Sequence, residues 1–251
     1  MLINTVWIGG NMGPVHAACL RSFVRHGHEI LLHCYDRPKD APDGIKFFDA
    51  RNLMNENEII RHKATGSLAL VANLYRYRIM KNDMGPYVDC DVYCVRPFNF
   101  SEYMFGYESN YKINNAVLNM PRDCQLLDRL LEAANNYYFI PPWISQNKQL
   151  KDRFRLAIGL GKHVSRRPWG VFGPTLLTYY IDELGLSEKA APIDAYYPLH
   201  FEQVRMLWDE GKSVRDLITG NTCGLHLWNA YLDKFSQPIK PNTPLYEIVN
   251  S

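Results

Sequence analysis

Two aspartates, Asp89 and Asp91, flank Cys90 directly after the short apolar pair Tyr87-Val88. In extended backbone, residues i and i+2 project to the same side, so this spacing predicts two neighbouring carboxylates. Two such groups repel each other, and burial would raise their pKa values. A hard divalent cation, Mg²⁺ or Mn²⁺, removes that conflict. A cation held by one or two carboxylates can also bridge a diphosphate and neutralise charge on a departing nucleoside diphosphate. Taken alone, D-x-D is more often a surface turn with two solvated aspartates, so its surroundings have to decide.

The elements that must position the pair read as an α/β sandwich. Leu2 to Ile8 is an apolar, β-branched run closed by Gly9-Gly10, which predicts a buried strand. A helix is expected over His16 to His26, terminated by Gly27, and a second strand over Glu29 to Cys34. Strand, helix and strand at this spacing form a βαβ unit with parallel pairing. Ala64 to Met80 predicts a longer helix leading into Met84-Gly85-Pro86 and the acidic triplet. Strands are expected over Tyr103 to Tyr107 and Ala116 to Met120, and a helix after Pro121 carrying Leu127, Leu130, Leu131 and Ala134. The C-terminal half predicts helices near 174–184 and 201–209 and a strand near 223–227.

A chain of 251 residues with 47% hydrophobic side chains can bury one sizeable core, so a single domain over 1–251 is expected. Its net charge of +2 gives no global reason to bind nucleic acid. The N-terminus lacks a basic region followed by a long apolar one, and no stretch approaches the roughly 20 apolar residues of a membrane span. The expected location is therefore the cytoplasm. The six cysteines are scattered, and Cys90 and Cys94 have no second Cys/His pair at zinc-like spacing, so they read as small apolar fillers.

Six ordered motifs bear on the acidic pair. Ala72-Asn73-Leu74-Tyr75-Arg76-Tyr77 followed by Gly85-Pro86-Tyr87-Val88-Asp89-Cys90-Asp91 resembles the block that marks the DXD-containing sugar transferases. That family includes Och1-type mannosyltransferases and α-1,4-galactosyl- and N-acetylglucosaminyltransferases, and the clostridial glucosylating toxins carry a similar block. Val6-Trp7-Ile8-Gly9-Gly10 is similar to the family's first strand. Gly173-Pro174-Thr175 with Thr178, Tyr197-Pro198-Leu199-His200 and His226-Leu227-Trp228 resemble its later motifs. The sequence departs from the family at Asn73, where an Asp is usual, and at Pro86, where a second Gly is usual.

The resemblance implies a GT-A type, Rossmann-like nucleotide-sugar-binding fold, with residues 1–120 as the donor core and 121–251 as the acceptor side and closing segment. It implies a retaining, metal-dependent hexosyltransferase serving surface polysaccharide synthesis. In that reading Asp89, Asp91 and His226 hold Mn²⁺ or Mg²⁺, and the alternative for His226 is an ordinary strand histidine. Asp89, Asp91 and Arg76 form the catalytic group, with Arg76 on donor phosphate or sugar oxygens or else in an ion pair with Asp89. Donor contacts fall to Trp7, Ile8, Gly9, Asn73, Arg76, Tyr77, Asp89, Cys90 and Trp228, with core packing as the alternative for both tryptophans. Sugar or acceptor contacts fall to Glu108, Asn114, Asn115, Gly173, Pro174 and His200. The match at Trp7 to UDP-using relatives favours a UDP-hexose over GDP-mannose as donor, and a glycan or lipid-linked sugar accepts the hexose. Two other classes compete: an inactive nucleotide- or sugar-binding module, and a metal-dependent sugar-nucleotide phosphohydrolase.

One more segment stands apart. Lys148 to Arg167 holds seven Lys/Arg against one acid, Asp152, with Leu150, Phe154, Ala157 and Ile158 as an apolar stripe. Such a helix either touches an anionic membrane at its inner face or packs on the domain with its charges in water.

Overall fold

The computed structural model describes every residue except 233 and 236. Six strands build the central sheet: β1 (Leu2–Trp7), β2 (Glu29–Cys34), β3 (Lys46–Asp49), β4 (Tyr87–Val88), β6 (Met104–Ser109) and β7 (Lys112–Asn119), with β5 (Val92–Cys94) lying outside it. The order across the sheet is β3-β2-β1-β4-β7-β6. The first four strands in that order are parallel and β7 runs against its neighbours. This mostly parallel six-stranded sheet with helices around it is compatible with a Rossmann-like fold. The predicted βαβ unit is present, with α1 (Pro14–Arg25) joining β1 to β2.

Alternate strand residues feed a core on each side of the sheet, as buried parallel strands require. Ile3, Ile30, Leu32 and Val88 pack with Leu20 and Phe23 of α1. Val6, Tyr87 and Leu118 pack with α2 (Ala69–Lys81), α3 (Gln125–Ala134) and α5 (Pro174–Glu183), through Leu74, Leu130 and Leu177 among others. Two polar residues sit inside this sheet and satisfy each other. His33 of β2 places one ring nitrogen 2.9 Å from the Tyr75 hydroxyl and the other 2.9 Å from Asn4 Oδ1.

Several boundaries differ from expectation. Residues 64–68 precede α2 instead of opening it, and Phe201–Trp208 winds as successive 3₁₀ turns. The expected strands near 103 and 116 form one antiparallel hairpin, β6-β7. The expected strand near 223 is β8 (Gly224–His226), which pairs antiparallel with β5 in a separate two-stranded sheet. The chain also forms α4 (Gln146–Ala157) and the short helices α6 (Ile193–Tyr196), α7 (Asn229–Leu232) and α8 (Pro244–Val249). Among the described residues, no helix is long and apolar enough to cross a membrane.

Candidate functional site

Strand order decides where a site can form. From β1 the chain passes to β2 on one side, whereas β4 lies on the other, so the order of strand connection reverses between the parallel neighbours β1 and β4. In open α/β sheets, ligands bind outside the carboxyl ends of the strands at such a switch point. Trp7-Ile8-Gly9 leaves β1 there, and Asp89-Cys90-Asp91 leaves β4 there.

The carboxylates are brought together by a turn, and not by the extended pleat that their spacing predicts. Val92 N–H donates to Asp89 O at 3.1 Å, closing residues 89–92, while Asp89 N–H donates to Ala116 O at 2.7 Å. The turn sends the Cys90 thiol the other way, into the core, 3.1 Å from Thr5 Oγ1 and 3.5 Å from Val6 O. Cys90 therefore has only its backbone to offer a ligand.

Asp89 is clamped from below. Arg76 of α2 donates to both of its oxygens, at 2.8 and 3.3 Å, and Tyr87 Oη donates at 2.7 Å. The same guanidinium donates to the Ala72 and Asn115 carbonyls and lies over the Tyr87 ring. Arg76 is buried and nearly saturated, so its geometry is that of a group that positions Asp89. Burial still holds the Asp89 carboxyl above the ordinary carboxylate range, although Arg76 pulls the other way.

Asp91 is held by a different part of the chain. His226 Nε2 lies 3.3 Å from its Oδ2, and the Asn229 N–H donates to that oxygen at 2.7 Å. Burial acts to raise the Asp91 carboxyl, but His226 and the Asn229 N–H hold it far below its usual range. For His226, burial acts to lower the imidazole and Asp91 reverses the sign, leaving it raised. The adjacent Trp228 has a left-handed backbone, φ 58°, which is costly for a residue with a side chain. That bend turns the Asn229 N–H toward Asp91.

Asp89, Asp91 and His226 each offer a ligand atom, and these atoms lie within 4.8 Å of one another. The 3.3 Å between the Asp91 and His226 atoms is close to the roughly 3 Å between adjacent ligands of a six-coordinate ion with bonds of about 2.1 Å. Two carboxylates, both oriented by further hydrogen bonds, and an imidazole form a donor set that fits a divalent cation. The His226 Nδ1 atom is buried without a hydrogen-bond partner. Binding a cation requires the neutral form of His226.

No protein-family model matches this chain, and no curated protein matches it in sequence. The site therefore has to be judged on its own geometry.

The motifs that are distant in sequence do meet in space. Tyr197 packs edge-on to His226 at 5.6 Å, Trp228 lies 4.3 Å from the His226 ring, and the Trp228 indole donates to Leu199 O at 2.7 Å. The Trp228 N–H is thus spent on the protein, which gives that residue its packing role. His200, next in the chain, sits half-exposed against Phe201 with Glu202 nearby. On the other side, Asn115 Nδ2 donates to Asn73 Oδ1 at 2.9 Å, and Tyr77 Oη donates to Phe172 O at 2.7 Å. Gly173 sits close to Asn73: a Cβ there would come within 2.9 Å of Asn73 Nδ2, so a larger residue would displace that amide. Pro174 follows as the first residue of α5. Glu108 is buried, accepting from Asn114 Nδ2 and pairing with Lys112 at 3.0 Å, and its charge reaches His226.

At the β1 end, the Trp7 ring lies 4.9 Å from the His16 ring at a tilt of 53°, its indole N–H is buried and unpartnered, and the exposed Gly9 lies against it. Ile8 packs into the core on the α2 side. His16 was not singled out by sequence. Its Nδ1 lies 2.7 Å from Met12 O, its Nε2 is buried without a partner, and its charge acts on Asp91. The available signal was its place in the first turn of α1, six residues after Gly10. Asp40 fixes that loop by accepting from the Met12 and Gly13 N–H groups, both at 2.7 Å, and Gly13 takes φ 79° just before α1. A roomier cleft of about 670 Å³, lined by Tyr107, Ser109, Asp194, Asp216 and Thr219, contains none of the three potential ligands.

Proposed function

We propose that the chain is a metal-dependent glycosyltransferase of GT-A type that moves a hexose, with retention, from a UDP-linked donor to a sugar acceptor. The observation that carries this reading is the Asp89-Asp91-His226 cluster at the switch point of the sheet. The resemblance of six ordered motifs to DXD-containing sugar transferases supports it, because their residues converge on that cluster. A divalent cation bound there, Mn²⁺ in preference to Mg²⁺ because imidazole is one donor, would neutralise charge on the departing diphosphate.

The protein's own residues supply the rest. Arg76 and Tyr87 fix the Asp89 carboxylate, so it does not have to reorganise during reaction. Trp7, backed by His16, offers a half-buried aromatic surface to the nucleotide. Gly9 and Gly10 let backbone approach it. Asn73, Asn115, Glu108 and Asn114 line the side toward which the sugar would extend. Transfer breaks the bond between the anomeric carbon and the diphosphate oxygen. It forms a bond from the acceptor hydroxyl on the same face, and the hydroxyl proton passes to the departing diphosphate.

Calorimetric titration of UDP and of GDP, with Mn²⁺ and with chelator, tests this reading. Binding of UDP that needs the metal and disappears in Asp91→Ala supports it. Absence of binding by either nucleotide in folded protein, whatever the metal, overturns it.

A further inference from the structure

An amphipathic helix normally buries its apolar stripe. Helix α4 does the reverse. At about 100° per residue, Leu150, Phe154 and Ile158 share one stripe, and Gln149 and Asp152 lie on the opposite face. The inward face is the polar one. Gln149 donates its amide to the Pro142 and Ile144 carbonyls, and Asp152 pairs with the buried Arg167. The outward stripe faces solvent, with Leu150 61%, Phe154 66% and Ile158 53% exposed. Gly159, at φ 76°, ends the helix, and the next residue, Leu160, is 69% exposed.

Cations border this stripe. Lys151 and Arg155 flank one edge and Arg153 the other, all exposed. Beyond the helix, Arg167 ties α4 to a cleft of about 490 Å³ lined by Lys63, Lys162, Arg166 and the half-exposed Trp169. An apolar ridge flanked by Lys and Arg, with a Trp nearby, matches a bilayer surface of apolar chains under anionic headgroups. A second copy of this chain fits poorly, because facing stripes would set like charges against each other.

We propose that α4 and the adjoining basic cleft form a docking surface for an anionic lipid membrane. The residues involved are remote from the metal-ligand cluster in sequence, and the contact does not depend on what that cluster binds.

The test is co-sedimentation of the full chain with vesicles of phosphatidylcholine mixed with phosphatidylglycerol and of phosphatidylcholine alone. Binding is expected only to the anionic vesicles and should weaken with salt. The Leu150→Ser/Phe154→Ser/Ile158→Ser variant removes the ridge, and Lys151→Gln/Arg155→Gln removes one row of charge. Each should lower the partition coefficient on the order of tenfold or more, with an unchanged melting temperature, since none of these side chains is buried. Equal partition onto both vesicle types, no partition at all, or undiminished binding by the triple variant overturns the proposal. So does self-association without lipid that the triple variant abolishes, because the ridge would then be an interface between copies. UDP titration of the same variants separates this outcome from failure of the site reading.

Discussion

The mouth of the sheet and helix α4 break the usual partition of polar and apolar groups in opposite directions. At the mouth, Arg76, Asp91, Glu108 and His226 are charged or titratable and buried. On α4, Leu150, Phe154 and Ile158 are apolar and face water. Burying charge is costly without partners, and here Arg76 with Asp89 and His226 with Asp91 provide them. Exposing apolar surface carries no local structural penalty of that kind, so α4 needs only the polar anchors Gln149 and Asp152 to stay seated. A departure at the mouth is enforced by many contacts, and one on α4 is tolerated by having few. Substitutions should therefore be severe in the first region and silent for folding in the second.

On the proposed function, the largest effect is expected for Asp91→Ala, which removes a potential ligand and the partner of His226. Transfer should fall about a thousandfold, and metal-dependent UDP binding should be lost in calorimetry. Retained activity would separate the cluster from the chemistry. Next comes Arg76→Met, which leaves Asp89 without its counter-charge. Unfolding free energy should drop by about 3 to 5 kcal/mol in a denaturant titration, and a drop below about 1 kcal/mol would mean that the pair does not organise the mouth.

His33 extends the comparison to a buried polar residue outside the mouth. Burial depresses its pKa from the usual 6.5 to about 4. The unfolded chain takes up the proton below pH 6.5 and the folded one resists until about 4. Its stabilising contribution is thus present above pH 6.5 and is lost as pH falls through that window, about 3 kcal/mol in all. The variant His33→Gln should flatten this part of the stability profile between pH 7 and 4. The smallest effect belongs to α4: Phe154→Ala should change stability by no more than about 0.5 kcal/mol. Leu74→Ala, in the α2 core, should cost about 2 to 5 kcal/mol by the same measurement.

Much of the mouth was legible because the spacing of Asp89 and Asp91 suggested paired carboxylates and the resemblance to DXD-containing sugar transferases pointed to the rest. Asp89 and Asp91, Arg76 one helix away and His226 near a late strand could all be named without coordinates. What brought them together could not. The turn at 89–92, the left-handed Trp228 and the pairing of β8 with β5 depend on contacts between segments far apart in sequence, which local patterns do not encode. His16 escaped notice because one histidine on a helix has no distinguishing pattern until its neighbours are known. Cys90 was placed near the donor by adjacency alone, and the turn directs its thiol to the core. For α4, the stripe and the charges were plain in the sequence, but either face could have been the inner one. The Asp152–Arg167 pair and the Gln149 amide decide that.

The pairing of β8 with β5 also sets an order in time. His226 is synthesised 135 residues after Asp91 (226 − 91). At roughly 5 to 20 residues per second, the two carboxylates would emerge on the order of ten seconds before their imidazole partner. Until the C-terminal strand docks, Asp91 lacks both His226 and the Asn229 N–H that hold it. A growing chain would therefore carry an incomplete candidate cation site until residue 226 has been made, and that site would close only once β8 has paired with β5.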